Sequence, residues 1–351
     1  MIMRPLLCVL AIAIASTAGA ELLRVGPERE LAQPSDAARR ARDGDIIEID
    51  AGVYAGDAAV WRQHNLTIRG SRGRAHLRAD GAHAESKAIW VIKGNHTTIE
   101  SIEFSGATVQ HRNGAGIRLE GAGLTLRDCY FHHNENGILT SNNPASDVLV
   151  EYSEFARNGF GDGYSHNLYI GNVRSFVLRY SYVHHAVVGH NVKSRALKNQ
   201  ISYNRIMDGS DGSASYAIDL PNGGASHVVG NVIHQGPATQ NPTVVSYGAE
   251  GLTNPVNELY FTNNTVVDDL PAGGRFIFLG DGAAPVRIMN NVFSGPGPVL
   301  TGPGELQNNL LVAKSEFVDA GGFDYRLKDV AAANGRGAQP GPKSGLKRKR
   351  D

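Results

Sequence analysis

The chain has little cysteine and no net charge, and each shortage excludes a class of protein. Only two cysteines occur in 351 residues, Cys8 and Cys129, and Cys8 lies in an N-terminal segment that we expect to be removed. No disulfide can then form within the mature chain, so Cys129 is predicted to be a small buried apolar residue. The formal net charge is zero at pH 7, which argues against a nucleic-acid-binding protein.

The chain also has no apolar run long enough to span a bilayer comfortably. Arg4 precedes an apolar run over residues 6–14, and small residues follow it up to Ala20. This order is typical of a secretory signal, so residues 1–20 are predicted to be cleaved, although a short membrane anchor is the alternative. We therefore expect a secreted or periplasmic protein with no membrane span after signal removal. Residues 335–351, rich in Gly, Pro, Lys and Arg, are predicted to form a disordered basic tail.

Glycine is abundant, at 42 residues, and a short phrase returns along the chain. The phrase reads apolar, two variable residues, Asn or Ser, one variable residue, apolar. Most copies lie about 23 to 28 residues apart, a spacing typical of solenoid repeats. The last apolar residue of the copies falls at Phe104, Phe131, Phe155, Val183, Ile206, Ile233, Val266, Phe293 and Leu311.

Each repeat holds short alternating runs between Gly, Asn and Asp, which predict strands and turns. One such rung cannot bury its own apolar face, so the rungs must stack. The sequence thus predicts an all-β fold, a right-handed parallel β-helix of about nine to ten rungs, as a single domain over residues 21–334. The residues at the fourth position of the phrase are predicted to stack from rung to rung. They are Cys129, Ser153, Ser181, Asn204, Asn231, Asn264, Asn291 and Asn309.

The two ends of the stack need covers, because an open rung exposes apolar side chains and strand edges. Residues 35–42 predict a short capping helix with Ser35 as its N-cap. Residues 323–327 predict a closing strand.

Candidate functional residues follow from aligning the strand after each phrase. The alignment points Ile138, Leu168, Val192 and Ile218 inward. Alternation along a strand then directs their neighbours to one outer face. These neighbours are Asn167, Tyr169, Asn191, Lys193 and Asp219, with Arg195 beyond Lys193 and His166 and His190 at the strand entries.

This set suits β-elimination on an acidic polysaccharide. Lys193, Tyr169, His190 and His166 are candidates for the base and acid. Arg195, Asn167, Asn191 and Asp219 are candidates for substrate binding. Arg118 and His111, on an earlier rung, are expected to extend the groove as a subsite.

Structural roles are open for the same residues. Asn167 and Asn191 also fit an internal amide ladder, and Lys193 with Arg195 also fits a solvated strand face. Asp219 also fits half of a surface ion pair with Lys193. A register slip of one residue would bury Tyr169.

The repeats over residues 124–138 and 201–206, with the opening Gly44-Asp45-Ile46-Ile47 and Gly52-Val53-Tyr54, resemble the β-helix repeat of the pectate-lyase-like superfamily. The resemblance covers about residues 30 to 330. It implies a right-handed β-helix and carbohydrate chemistry with a Lys or Arg base, often with calcium. The Asp-rich calcium cluster of pectate lyases and the Asp-Pro-His-Asp phrase of alginate epimerases are not evident.

The sequence therefore predicts a lyase that cleaves an anionic, uronic-acid-containing polysaccharide, acting as a monomer and without nucleic acid. No cofactor is required, although calcium fits the chemistry. The rival functions are a C5-epimerase of a uronate polymer, a glycoside hydrolase, and a carbohydrate-binding solenoid without catalysis.

Overall fold

The computed structural model describes residues 19–329, which form a coil of parallel strands with one α-helix. Each full turn of the coil carries three strands, and each strand pairs in parallel with its equivalents in the turns before and after. The third column of strands has ten members. This confirms the predicted right-handed parallel β-helix and its number of rungs. The predicted signal segment, up to residue 18, and the predicted basic tail lie outside the described residues.

The first column begins with three strands that build the N-terminal turns, two of them long enough to continue into the second column. These three are Leu22–Val25, Ile46–Ala55 and Thr67–Arg78. Shorter strands follow at Thr97–Glu100, Leu124–Arg127, Asn143–Glu151, Val173–Arg179, Lys198–Ser202, Ala225–Val229, Leu259–Thr262, Val286–Met289 and Glu305–Gln307.

The second column contains the end of the repeated phrase. Its strands are Ile102–Ser105, Tyr130–His132, Glu154–Ala156, Tyr182–His184, Arg205–Met207, Val232–Gln235, Thr265–Asp268, Val292–Ser294 and Leu310–Leu311. The third column carries the strands in which functional residues were predicted. Its members are Ala59–Trp61, Ala88–Ile92, Ala115–Leu119, Asn136–Thr140, Leu168–Ile170, Val192–Ser194, Ile218–Leu220, Thr243–Tyr247, Arg275–Leu279 and Leu300–Thr301.

The apolar ends of the phrase form one continuous stack inside the coil. Phe131 pairs in register with Phe104 before it and Phe155 after it, and the rings stack with centroids 4.9 and 4.8 Å apart. All members of the stack are buried except Leu311, which lies in the last turn. Because each turn buries its apolar face only against its neighbours, this stack is the physical basis of the repeat spacing.

The predicted polar ladder lies at the corner between the first and second columns. Asn231 donates through its amide to Oδ1 of Asn264 at 3.0 Å and to the Ile201 carbonyl at 2.9 Å. The ladder continues through the serines, where the Cys129 N–H donates to Oγ of Ser153 at 3.1 Å. These bonds satisfy backbone groups that the turn leaves without a strand partner. Cys129 is buried as predicted, and burial raises the pKa of its thiol to about 12.

A helix covers the N-terminal turn, but it begins earlier than predicted. It spans Pro34–Arg40, and its N-cap is Gln33 rather than Ser35. Pro34 at the first helical position favours this start because its ring presets the helical φ and it has no N–H to satisfy. The Ser35 N–H instead donates to the carboxylate of Asp57 at 3.0 Å, which ties the helix to the coil.

At the other end, a 3-10 turn at Lys314–Glu316 leads into a two-stranded antiparallel sheet. Its strands are Phe317–Asp319 and Asp324–Leu327. The predicted closing strand is therefore present, but it pairs with its own hairpin instead of adding a rung. Phe317 and Tyr325 bury their rings there against the second column, beside Met207 and Val267.

Candidate active site

The predicted outer column of the third sheet is present, with its residues in register. Tyr169 pairs with Lys193, and Lys193 pairs with Asp219. The residues that precede them in the chain, Leu168, Val192 and Ile218, point into the core and are fully buried. This confirms that Tyr169, Lys193 and Asp219 leave three consecutive turns on the same side of the sheet.

Lys193 lies between two carboxylates. Its Nζ is 3.4 Å from Oδ2 of Asp219 and 3.3 Å from Oε1 of Glu250. The lysine is only 9% exposed, so its outward direction does not leave it in open solvent. The contact between Lys193 and Asp219 is a buried ion pair rather than the surface ion pair considered from sequence, because the Asp219 carboxylate is almost completely buried as well.

Arg195 connects the same group to Tyr169. Its Nε donates to Oη of Tyr169 at 3.1 Å, and its NH2 lies 2.8 Å from Oε2 of Glu250. A further hydrogen bond runs from its NH1 to Oδ1 of Asn222. The hydrogen bonds to Tyr169 and Glu250 outweigh the effect of burial and raise the pKa of Arg195. The guanidinium is therefore held charged, in a fixed orientation, beside a phenol.

Glu250 and Asn222 were missed in the sequence because both lie in loops that follow third-column strands. Glu250 comes three residues after the strand Thr243–Tyr247, and Asn222 comes two residues after Ile218–Leu220. No strand period applies to loops, so only their polar character could have signalled them. One carboxylate, that of Glu250, contacts both Lys193 and Arg195.

The predicted outward orientation of Asn167 and Asn191 is wrong. Both are fully buried in a second amide ladder, at the corner between the second and third columns. Asn158 donates to Oδ1 of Asn167 at 2.8 Å, and Asn167 donates to Oδ1 of Asn191 at 2.8 Å. Each residue precedes its strand, where the chain is still turning, so strand alternation does not apply. Neither side chain can reach a polymer outside the coil.

His166 and His190 also lie inside this corner. Their rings stack with centroids 4.4 Å apart, and Nδ1 of His166 accepts the His190 N–H at 2.9 Å. Burial lowers the pKa of His190 to about 3 and that of His166 well below its usual value. Both rings are therefore neutral at pH 7. His166, only 1% exposed, is too buried for the predicted proton exchange with a substrate.

Asp219 is a support for other side chains rather than a contact for substrate. It is 3% exposed, and its Oδ2 lies 3.5 Å from Nε2 of His190 as well as beside Lys193. Burial raises the pKa of Asp219, although the Lys193 ammonium acts in the opposite direction. The predicted substrate-binding role does not fit this burial, because a polymer has no access to the carboxylate.

Arg118 and His111 lie along the same side of the coil as Tyr169. Arg118 pairs with Leu139, which in turn pairs with Tyr169, so Arg118 belongs to the same outer column two turns earlier. An open cavity of about 590 Å³ lies between them, lined by His111, Arg118, Tyr164 and Tyr169. The Nε of Arg118 has no hydrogen-bond partner, and burial lowers the pKa of its guanidinium. Because Arg118 lines the cavity, its guanidinium can bind an anionic group there.

These residues do not fit a calcium site. Calcium takes about six to eight oxygen ligands. The carboxylates nearest Lys193 are those of Asp219 and Glu250, and both are already paired with cationic side chains.

The stacked turns define the chain as a right-handed parallel β-helix. More particularly, residues 51–266 match the model of the family described as "Right handed beta helix region", and the chain belongs to this family. No curated protein sequence matches the chain.

Solved structures of low sequence identity share the fold. The pectate lyase Pel9A is 13% identical, with a TM-score of 0.63, over 86% of this chain and 84% of that one. A lacto-N-biosidase from Eubacterium ramulus is also 13% identical, with a TM-score of 0.50, over 84% of this chain and 68% of that one. These likenesses concern the fold. Within residues 19–329, no helix is both long enough and apolar enough to cross a membrane.

Proposed function

We propose that this protein is a polysaccharide lyase that cleaves an anionic, uronic-acid-containing polysaccharide by β-elimination. The observation that carries the proposal is the position of Glu250, whose carboxylate contacts Nζ of Lys193 at 3.3 Å and NH2 of Arg195 at 2.8 Å. Lys193 and Arg195 are thus arranged to share one carboxylate. Glu250 is half exposed and lies on a loop, so the carboxylate of a uronate can replace it.

When the uronate carboxylate displaces the carboxylate of Glu250, the substrate is placed for elimination. The carbon next to a carboxylate gives up its proton more readily when the carboxylate charge is neutralised, and Arg195 would supply that neutralisation. Lys193, released from Glu250, would first give its ammonium proton to solvent and would then, as the neutral amine, take the proton from that carbon as the general base. The electron pair of the broken C–H bond forms the new C=C bond, and the bond to the glycosidic oxygen breaks.

Tyr169 would protonate the leaving oxygen. Its own oxygen accepts a hydrogen bond from Nε of Arg195 at 3.1 Å, which leaves the phenol O–H free to donate. Asp219 and His190 would act as positioning residues behind Lys193. Arg118 and His111 would bind a neighbouring acidic sugar in the adjoining cavity. The solved structure of a pectate lyase with this fold, at a TM-score of 0.63, is consistent with such a substrate.

The signal-like N-terminal segment supports a secreted or periplasmic location, where such polymers are found. Mass spectrometry of the exported protein would test this part of the proposal. A mature chain beginning at Glu21 is expected. A protein that retains residues 1–20 would contradict it.

A glycoside hydrolase is the second candidate, because two carboxylates flank Lys193. Asp219 and Glu250 contact the same ammonium, so they lie no farther apart than the catalytic pair of glycosidases, roughly 5 to 9.5 Å. One solved structure with this fold is that of a lacto-N-biosidase. The burial of Asp219 disfavours this reading, since a general acid or nucleophile must reach the sugar.

Product analysis on uronic-acid polymers separates the candidates. A lyase produces an unsaturated uronate that absorbs ultraviolet light. A hydrolase produces new reducing ends without that absorbance, an epimerase leaves chain length unchanged, and a binding protein gives no turnover. The proposal predicts the unsaturated product, with Lys193→Ala inactive. Shortened chains without ultraviolet absorbance would contradict it.

A further inference from the structure

We propose that His76, Glu103 and His132 form a binding site for one zinc ion, away from the candidate active site. The three side chains leave the outer face of the second strand column on three consecutive turns. His76 pairs in register with Glu103, and His132 pairs with Ser105, two residues after Glu103. Within residues 19–329, these three residues form the group of His, Cys, Asp or Glu side chains whose potential ligand atoms lie close enough together to share one ion.

The distances are close to those of a coordinated metal. Nε2 of His132 lies 2.9 Å and Nε2 of His76 lies 3.5 Å from Oε1 of Glu103, and all the ligand atoms lie within 4.8 Å of one another. Bonds of about 2.0 to 2.2 Å in a tetrahedron place ligand atoms about 3.3 Å apart. Small side-chain movements therefore suffice to close the site around an ion.

The site is also accessible. About a fifth of each side chain is exposed: 21% for His76, 23% for Glu103 and 18% for His132. Oγ of Ser105 lies 2.7 Å from Nε2 of His76, so an ion that binds this nitrogen replaces the serine contact. An ion can thus enter from solvent, where it would exchange the hydrogen bonds of the two Nε2 atoms for bonds to the metal.

A supporting contact fixes the second nitrogen of His132. Its Nδ1 lies 2.8 Å from Nδ1 of His133. With a metal on Nε2, the proton of His132 moves to Nδ1 and is donated to His133. A ligating histidine commonly donates its other N–H in this way, which fixes its tautomer and orientation.

The chain contains its own control for this site two turns further on. Tyr130, Glu154, His184 and His185 occupy the positions equivalent to His76, Glu103, His132 and His133. His184 and His185 share the same Nδ1 contact, at 2.7 Å, and Nε2 of His184 lies 3.2 Å from Glu154. The difference is Tyr130 in place of His76, which removes one ligand. Only the earlier cluster offers three ligands.

The donor set selects the kind of metal. Two imidazole nitrogens and one carboxylate suit zinc, whereas calcium and magnesium prefer oxygen ligands alone. Three protein ligands leave a fourth position for water. An ion there would join three turns of the coil, which predicts a stabilising role.

Titration with zinc chloride tests the proposal on tag-free protein in a buffer that does not chelate metals. Calorimetry should show one saturable site for the wild type, and Co²⁺ in place of zinc should give the visible absorption of a low-symmetry site with histidine ligands. His76→Tyr copies the equivalent position in the later cluster and should abolish the site. His133→Ala should weaken binding by about 10- to 100-fold.

His184→Ala is the matched control and should leave stoichiometry and affinity unchanged. Zinc should raise the melting temperature of the wild type and of His184→Ala, but not that of His76→Tyr. If His76→Tyr fails to fold, Glu103→Gln provides the same test. Absence of saturable binding, or equal losses in His76→Tyr and His184→Ala, would overturn the proposal.

Discussion

The ammonium of Lys193 lies 3.4 Å from the carboxylate of Asp219, its register partner on the next turn of the coil. The two residues are neighbours because every turn repeats the same strand position about 4.8 Å further along the axis. The contact that orients Lys193 is therefore formed between two strand residues of the stack and does not depend on a loop.

Removing the hydroxyl of Tyr169 should slow turnover without unfolding the coil. Tyr169→Phe keeps the ring but loses the oxygen that accepts from Nε of Arg195. If this phenol protonates the leaving oxygen, turnover of a uronate polymer should fall by roughly 10²- to 10⁴-fold. Tyr180→Phe, on an exposed turn, is the control and should keep normal rates. A Tyr169→Phe enzyme with wild-type turnover would remove the phenol from the mechanism.

Glu250→Gln should strengthen the binding of an acidic polymer. The Glu250 carboxylate occupies the contacts with Lys193 and Arg195 that we assign to a uronate. The amide competes less well for these cations, so KM should fall while turnover persists. Steady-state kinetics would show this, with the exposed Glu316→Gln as control. If Glu250 is instead a hydrolase carboxylate, the same variant should lose nearly all activity.

Arg118→Gln should affect binding more than chemistry. Arg118 lies two turns from Tyr169 along the outer column, and its Nε has no hydrogen-bond partner beside the cavity. Loss of one charge-assisted contact should raise KM by about tenfold, corresponding to about 1.4 kcal/mol, and leave kcat nearly unchanged. The exposed Arg24→Gln should change neither constant. An equal fall in kcat would place Arg118 in the chemistry instead.

Acid should destabilise the protein partly through His190. Burial lowers its folded pKa to about 3, whereas the unfolded value is about 6.5. Between these values the unfolded chain binds a proton that the folded chain does not. Its contribution to stability is therefore complete above about pH 6.5 and is lost as the pH falls toward 3, at up to about 1.4 kcal/mol per pH unit.

His190→Asn removes this titration, and denaturant melts between pH 4 and 7 would measure the effect. The free energy of unfolding of the variant should depend less steeply on pH than that of the wild type. Parallel curves for the two proteins would show that His190 does not titrate as its burial requires.

The fold and the outer column could be predicted from sequence because both follow from strand alternation against an apolar core. Ile138, Leu168, Val192 and Ile218 define the inward phase, so the positions of Tyr169 and Lys193 follow. Asn167 and Asn191 could not be placed in this way, since they lie at a corner where an amide ladder is more stable than an exposed strand face. Glu250 reaches the site from a loop, to which no periodic rule applies.

The predicted helix illustrates the same limit at smaller scale. Ser35 is a favourable N-cap residue, yet the helix begins at Pro34 and its first turn is held by contacts with Asp36 and Asp57. Asp57 follows Asp36 by some twenty positions and belongs to the coil, so its contact depends on the tertiary fold. The local residue preferences predicted that a helix is present, but contacts with the rest of the fold determine the residue at which it begins.

We assign to Lys193 the removal of the proton in a β-elimination. The most direct test of this assignment is the ultraviolet absorbance of unsaturated uronate, followed while wild-type protein and Lys193→Ala act on a panel of uronic-acid polymers. Absorbance should rise for at least one polymer with the wild type and not with Lys193→Ala, while both proteins show the cooperative melting of a folded β-helix. Equal rates for the two proteins, or polymer cleavage without any rise in absorbance, would contradict it.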